Sequence, residues 1–174
     1  YTRRDTSHVD GSMRPTQEDY DRYLWLVQRG RKLKWDEELM SVNRPFEVAD
    51  PTMTFILLRA SRDLLYMAEA LDIDNIEISE WCSKLREGIE TLRNPDGQFF
   101  NAINCRTDEH SGNITSASFL NWYAGIDDDE TLKILTKTLE ETRYPIPSLS
   151  INSEKFDGMR YWRGPTWAIL NSLV

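Results

Sequence analysis

Seven consecutive residues hold the densest chemistry in the chain: Tyr161, Trp162, Arg163, Gly164, Pro165, Thr166 and Trp167. Gly164 lets the backbone turn tightly, and Pro165 is preset for the first turn of a helix. Two indoles, a phenol and a guanidinium therefore gather at a helix start. Such a set suits a sugar. Aromatic faces pack on the apolar C–H faces of a sugar ring, and a guanidinium donates hydrogen bonds to its hydroxyls. The rival reading is packing, with the rings filling the core and Arg163 paired to a carboxylate.

The other candidates are weaker. Asp96 lies in Asn94-Pro95-Asp96-Gly97-Gln98-Phe99-Phe100, which reads as a hairpin turn before it reads as catalysis. Asp50 before Pro51 is a helix cap, and Asp157 in Phe156-Asp157-Gly158 is a turn residue. Glu37-Glu38 and Asp127-Asp128-Asp129 read as solvated helix starts. Cys82 and Cys105 have neither redox nor metal spacing, and His8 and His110 have no ligand-spaced partner. No metal site, cofactor motif, Ser-His-Asp arrangement or phosphate-binding glycine loop stands out.

The elements that must position these residues are helices, because no long stretch alternates apolar and polar residues as a half-buried strand does. Thr16 opens a first helix with the stripe Tyr20, Tyr23, Leu24, Val27. Asp50-Pro51 opens a second, to about Leu71; Asp74-Asn75-Ile76-Glu77 opens a third, to about Leu92. A fourth is expected from Thr115 to Gly125, a fifth from Asp127 or Asp128 to Glu141, and a sixth from Pro165. Broad apolar faces on the second, fourth and sixth alternate with narrow stripes on the third and fifth. That order describes inner helices wrapped by outer ones, in paired hairpins. The links leading into the inner helices are long, and long loops are where function concentrates. The helix starts near Pro51, Ser116 and Pro165 are expected to open on one concavity.

The balance of 21 basic against 29 acidic residues, net −8, is a poor match to nucleic acid, whose phosphates call for basic surface. No apolar run is long enough to cross a bilayer. Both ends read as cut: Tyr1 opens on an unperiodic segment, and Pro165 to Val174 read as a helix that does not stop. The expectation is that residues 1–174 are a piece of one domain truncated at both ends, sticky or poorly stable alone. Compartment and oligomeric state stay open, with a lean toward the cytoplasm.

The run Tyr161-Trp162-Arg163-Gly164-Pro165-Thr166-Trp167 resembles the Y-W-R-G-P-x-W signature of the six-hairpin glycosidases, in particular the glycoside hydrolase family 63 type and its branch acting on glycerate glycosides. Arg14-Pro15-Thr16 leading to Asp19-Tyr20-Asp21-Arg22-Tyr23-Leu24 is similar to that group, as are Pro45 to Pro51, Ser116 to Ile126, and Pro147-Ser148-Leu149-Ser150. The resemblance spans essentially the whole chain. It implies an all-α fold, about half of an (α/α)6 toroid, and inverting hydrolysis of an α-linked glucoside or mannoside. Inversion needs a general acid and a general base roughly 6.5–9.5 Å apart. In such relatives the acid is an Asp in a W-x-S-G-x-D-x-S-P-like segment, expected upstream of Tyr1, and the base a Glu expected beyond Val174. The resemblance thus implies no catalytic carboxylate within the chain and a substrate-binding role for Tyr161, Trp162 and Arg163, with a small glycoside or oligosaccharide as partner. Asp5 and His8 fall where relatives leave the acid loop, as surface residues or as its support. The rivals are a non-catalytic helical binding module and another toroid enzyme of trehalase or phosphorylase type.

Overall fold

The computed structural model describes residues 1–42 and 44–174. The main elements are helices α1 (Gln17–Lys32), α2 (Glu37–Ser41), α3 (Pro51–Ala70), α4 (Ile76–Ile89), α5 (Asp129–Glu141) and α6 (Ala168–Asn171). Strands β1 (Val48–Ala49), β2 (Ile103–Asn104) and β3 (Glu109–His110) form a small antiparallel sheet in that order. Short 3-10 turns follow α4 at Glu90–Leu92 and precede α5 at Ser116–Phe119.

Most helix starts follow from a side chain that captures a free backbone N–H. Thr16 and Asp19 form a reciprocal capping box on α1. Asp36, Asp50 and Asp128 accept from Leu39, Met53 and Thr131 at the starts of α2, α3 and α5. Asp50 is therefore a cap, with Pro51 in the first helical turn. At α4 the expected cap is displaced by one residue: Asn75 makes no side-chain cap bond, and Asp74 accepts from the Ile76 N–H instead. The chain leaves α3 through Asp72 at φ 53°, with the Ile73 N–H on the Ala68 carbonyl and the Asp72 N–H on that of Glu69. This is a Schellman turn in which Asp takes the left-handed position that usually falls to Gly.

The core forms where α3 and α4 pack as a hairpin. Phe55 and Leu58 of α3 meet Ile89, Leu92, Phe100, Leu120 and Ala124. Phe55 and Phe100 sit edge to face at 5.2 Å. The hairpin turn at Asn94 holds Phe100 there: the Asn94 side chain accepts from the Asp96 and Gly97 N–H groups, and backbone bonds join Asn94 to Phe99 and Asn101 to Leu92. Asp96 is an exposed turn residue. Arg93 covers the Phe100 ring at 4.4 Å and donates to Asp128 at 2.7 Å, tying this turn to the start of α5.

Two expected helices are shorter than their apolar content suggested. The segment from Thr115 to Gly125 holds only the 3-10 turn Ser116–Phe119 followed by further turns, closed by Gly125 at φ 71°. Its buried residues Ser116, Ala117, Ser118, Phe119, Leu120 and Asn121 give it an inner position without a regular helix. Pro165 does not begin the last helix; Thr166 bridges to Pro147 and α6 starts at Ala168. In the Thr115 to Gly125 segment the broad apolar face reports burial, and a buried segment can spend its N–H groups on neighbours instead of on a helix. The α6 segment buries none of its residues, with Ile169 71% exposed, so its broad apolar face does not report burial. Along α3, Met53, Leu57, Leu64 and Met67 remain exposed on the side away from the core.

Candidate functional site

The signature residues sit on a closed loop. The Asp157 N–H donates to the Arg163 carbonyl at 2.7 Å, so residues 157–163 leave and return at one point. Gly164 completes the closure: a β-carbon there would lie 2.5 Å from the Asp157 carbonyl oxygen and 2.7 Å from its carbon. No larger residue fits without moving backbone. The buried Ser148 hydroxyl accepts from the Gly164 N–H at 3.0 Å, and the Ser148 N–H donates to the Pro165 carbonyl. Strand-like pairing of Leu149 with Thr115 and of Pro147 with Thr166 then sets this corner beside the Ser116 turn. The lead-ins to the fourth and sixth predicted helices are thus adjacent, laced together by residues 147–150.

The rings of the loop are not core filling. Tyr161 is 56% and Trp162 54% exposed, while Trp167 is half-buried behind them. Trp162 stacks on Trp167 at 4.7 Å, and Tyr161 tilts against Trp167 at 4.8 Å. The Trp167 indole N–H donates to the Tyr161 carbonyl at 2.9 Å, fixing the supporting ring in place. One indole is therefore the platform and the other two rings the presented surface. Arg163 does lean on a carboxylate, Asp157, at 3.8 Å, but its side chain is half exposed.

Tyr161, Trp162 and Arg163 line a cavity of about 460 Å³ together with Arg160 and, from the other end of the chain, Met13, Arg14, Pro15, Thr16, Asp19 and Tyr23. The Arg160 guanidinium donates to the Arg14 carbonyl at 3.3 Å and fastens the two walls. Three arginines, Arg14, Arg160 and Arg163, thus line one space. Arg160 and Arg163 share Asp157, whereas half-buried Arg14 makes no ion pair among the described residues. Asp19, on the same wall, is committed to the Thr16 cap, whose hydrogen bonds hold its carboxyl below the usual range. The lead-ins at Pro51 and Ser116 do not line this cavity. In the sequence Arg14 stands only within a family-like segment and Arg160 is unmarked; neither is read as a site residue, because their contact spans 146 positions and no local spacing reports it.

Asp5, just ahead of this wall, forms a two-pronged pair with Arg3 at 2.7 and 3.0 Å. The Arg3 hydrogen bond lowers its carboxyl to about 2, although burial acts the other way. Arg3 also covers the Tyr20 ring at 4.2 Å. His8 is exposed. His110 places Nδ1 2.7 Å from Oδ1 of buried Asn101, bracing the β2–β3 hairpin.

Aromatic rings and arginines thus gather at one corner of a largely helical fold, and comparison with known proteins gives that fold a family. The chain belongs to the family described as the mannosylglycerate hydrolase MGH1-like glycoside hydrolase domain, which matches residues 1–174. It is 36% identical over 180 residues to mannosylglycerate hydrolase MGH1 of Selaginella moellendorffii, covering 100% of this chain and 37% of that protein. It is 37% identical to the mannosylglycerate hydrolase of Thermus thermophilus, covering 100% of this chain and 43% of that protein. A crystal structure of the glycoside hydrolase family 63 mannosylglycerate hydrolase from Thermus thermophilus, in complex with Tris and D-glycerate, superposes with a TM-score of 0.91 over 99% of this chain and 43% of that one. The chain therefore spans about two fifths of the length of these relatives, and its mostly helical fold is that of part of their domain.

Proposed function

We propose that this chain is one portion of an (α/α)6 hydrolase domain and supplies a wall of its substrate site. The reaction is inverting hydrolysis of an α-glucoside or α-mannoside whose leaving group is a small carboxylate-bearing alcohol of the glycerate type. The observation that carries this reading is the shared cavity: two exposed aromatic rings suited to a sugar face, beside guanidiniums suited to a carboxylate. Half-buried Arg14, with no ion-pair partner among the described residues, is the group best placed to receive an anion. The names of the relatives support glycerate as that anion.

The catalytic acid and base belong to the remainder of the domain on this reading. A general acid at neutral pH needs a raised carboxyl. Asp5, Asp10, Asp19 and Asp128 are all held below the usual range by hydrogen bonds, the opposite direction. The test is kinetic, in the full-length protein, with two substrates of the same sugar: the glycerate α-glycoside and its glycerol counterpart, which lacks the carboxylate. Arg14→Ala is expected to lower kcat/KM on the charged substrate at least about tenfold more than on the neutral one, the scale of one charged hydrogen bond. Equal losses on both would overturn the assignment of the cavity to the anionic end. Arg163→Ala is expected to cost activity beyond any loss of thermal stability.

A further inference from the structure

The loop that presents Tyr161, Trp162 and Arg163 has one carboxylate at its base, and every interaction of that residue points back into the loop. The Asp157 N–H donates to the Arg163 carbonyl, and its carbonyl accepts from the Arg160 N–H at 3.0 Å. One carboxylate oxygen accepts from the Met159 N–H at 3.0 Å. The other lies 3.5 Å from Arg160 Nε and 3.8 Å from Arg163 Nη2. Two guanidiniums that border the cavity thus share one negative charge outside the set of cavity-lining residues. Arg14 adds a third positive charge from the opposite wall. Asp10 also acts on Arg160 and Asp19 lies on the opposite wall, but only Asp157 pairs with both loop guanidiniums. Without it they lose their common counter-ion, and each regains rotamers directed at solvent.

We infer that Asp157 is a positioning residue: it holds Arg160 and Arg163 in place beside Arg14, so that the arginine-lined cavity is preformed for the carboxylate of the leaving group. This rests on the proposed glycerate-glycoside reading and adds to it a residue that touches no substrate. The role is distinct from loop closure, because closure is carried by the backbone bonds and by Gly164. Asp157→Asn keeps an oxygen for the Met159 N–H and removes only the charge.

The experiment compares Asp157→Asn, Asp157→Glu and Arg14→Ala in the full-length protein, on the glycerate α-glycoside and the glycerol α-glycoside, with thermal melting alongside. Asp157→Asn is expected to lower the charged-to-neutral ratio of kcat/KM about tenfold, mostly through KM on the charged substrate, as two side chains must be ordered anew at each binding event. Asp157→Glu, which keeps the charge, is expected to hold the ratio within about threefold. An unchanged or increased ratio in Asp157→Asn overturns the inference, as do equal losses on both substrates in both variants with lowered melting temperature. Arg14→Ala separates the two failures. If it lowers the ratio while Asp157→Asn does not, only the positioning role is lost; if it too leaves the ratio unchanged, the anionic substrate reading falls.

Discussion

At the scale of single residues, the signature divides its labour. Gly164 and Trp167 build, while Tyr161, Trp162 and Arg163 are presented. Gly164→Ala is therefore expected to destabilise the protein by about 1–3 kcal/mol, because its new methyl meets backbone rather than a flexible side chain. Thermal or denaturant unfolding of this variant measures it, and a stability equal to wild type would show that the corner can shift freely. The residue types in this corner were legible in the sequence, because Gly-Pro beside two indoles is unusual locally. Which ring was platform and which was surface was not, since Trp162 and Trp167 are the same side chain and only tertiary contact tells them apart. The partners across the cavity, Arg14 and Arg160, were hidden for the same reason.

At the scale of elements, capping chemistry was the most readable signal. Asp50-Pro51, Thr16 and Asp128 each mark a helix start within a residue or so, because the capture of a free N–H is a local event. The broad apolar stretches were less informative: the Thr115 to Gly125 segment is buried but turns rather than coils, with Arg62 of α3 donating to the Ala124 carbonyl at its end. The Arg93–Asp128 pair is the element-scale joint, linking the Asn94 turn to α5. Burial works against the charge on Asp128, but the hydrogen bonds from Arg93 and Thr131 prevail and hold its carboxyl below the usual range. A lowered folded-state value stabilises above the unfolded value near 3.9, and that stability is lost as pH falls through the folded one. Asp128→Asn keeps the cap and removes the charge. It is expected to be less stable than wild type by about 1 kcal/mol at neutral pH. The gap closes below about pH 4, as read by denaturant unfolding across pH. A gap that persists undiminished into strong acid would place the effect elsewhere.

At the scale of the whole molecule, the alternation of inner and outer helices survives as a hairpin of α3 on α4 with the Ser116 turn and α5 beside it, rather than as six regular helices. The apolar residues left outside are grouped: Met53, Leu57, Leu64 and Met67 along α3, and Trp25, Leu39, Val42 and Phe46 around α1 and α2. Contiguous apolar surface of this kind ordinarily has a partner. On the function proposed above, the remainder of the domain is that partner; the chain spans about two fifths of the length of its relatives. The site is organised on the same scale, since its two walls come from opposite ends of the chain and are fastened by a guanidinium-to-carbonyl bond. The most direct test of the proposed site is a crystal structure of the full-length protein with D-glycerate bound. The carboxylate is expected within about 3 Å of the guanidinium of Arg14 or Arg163, with Tyr161 or Trp162 bordering the adjoining sugar site. A glycerate bound firmly elsewhere, with the cavity between Arg14 and Arg163 holding only solvent, would contradict it.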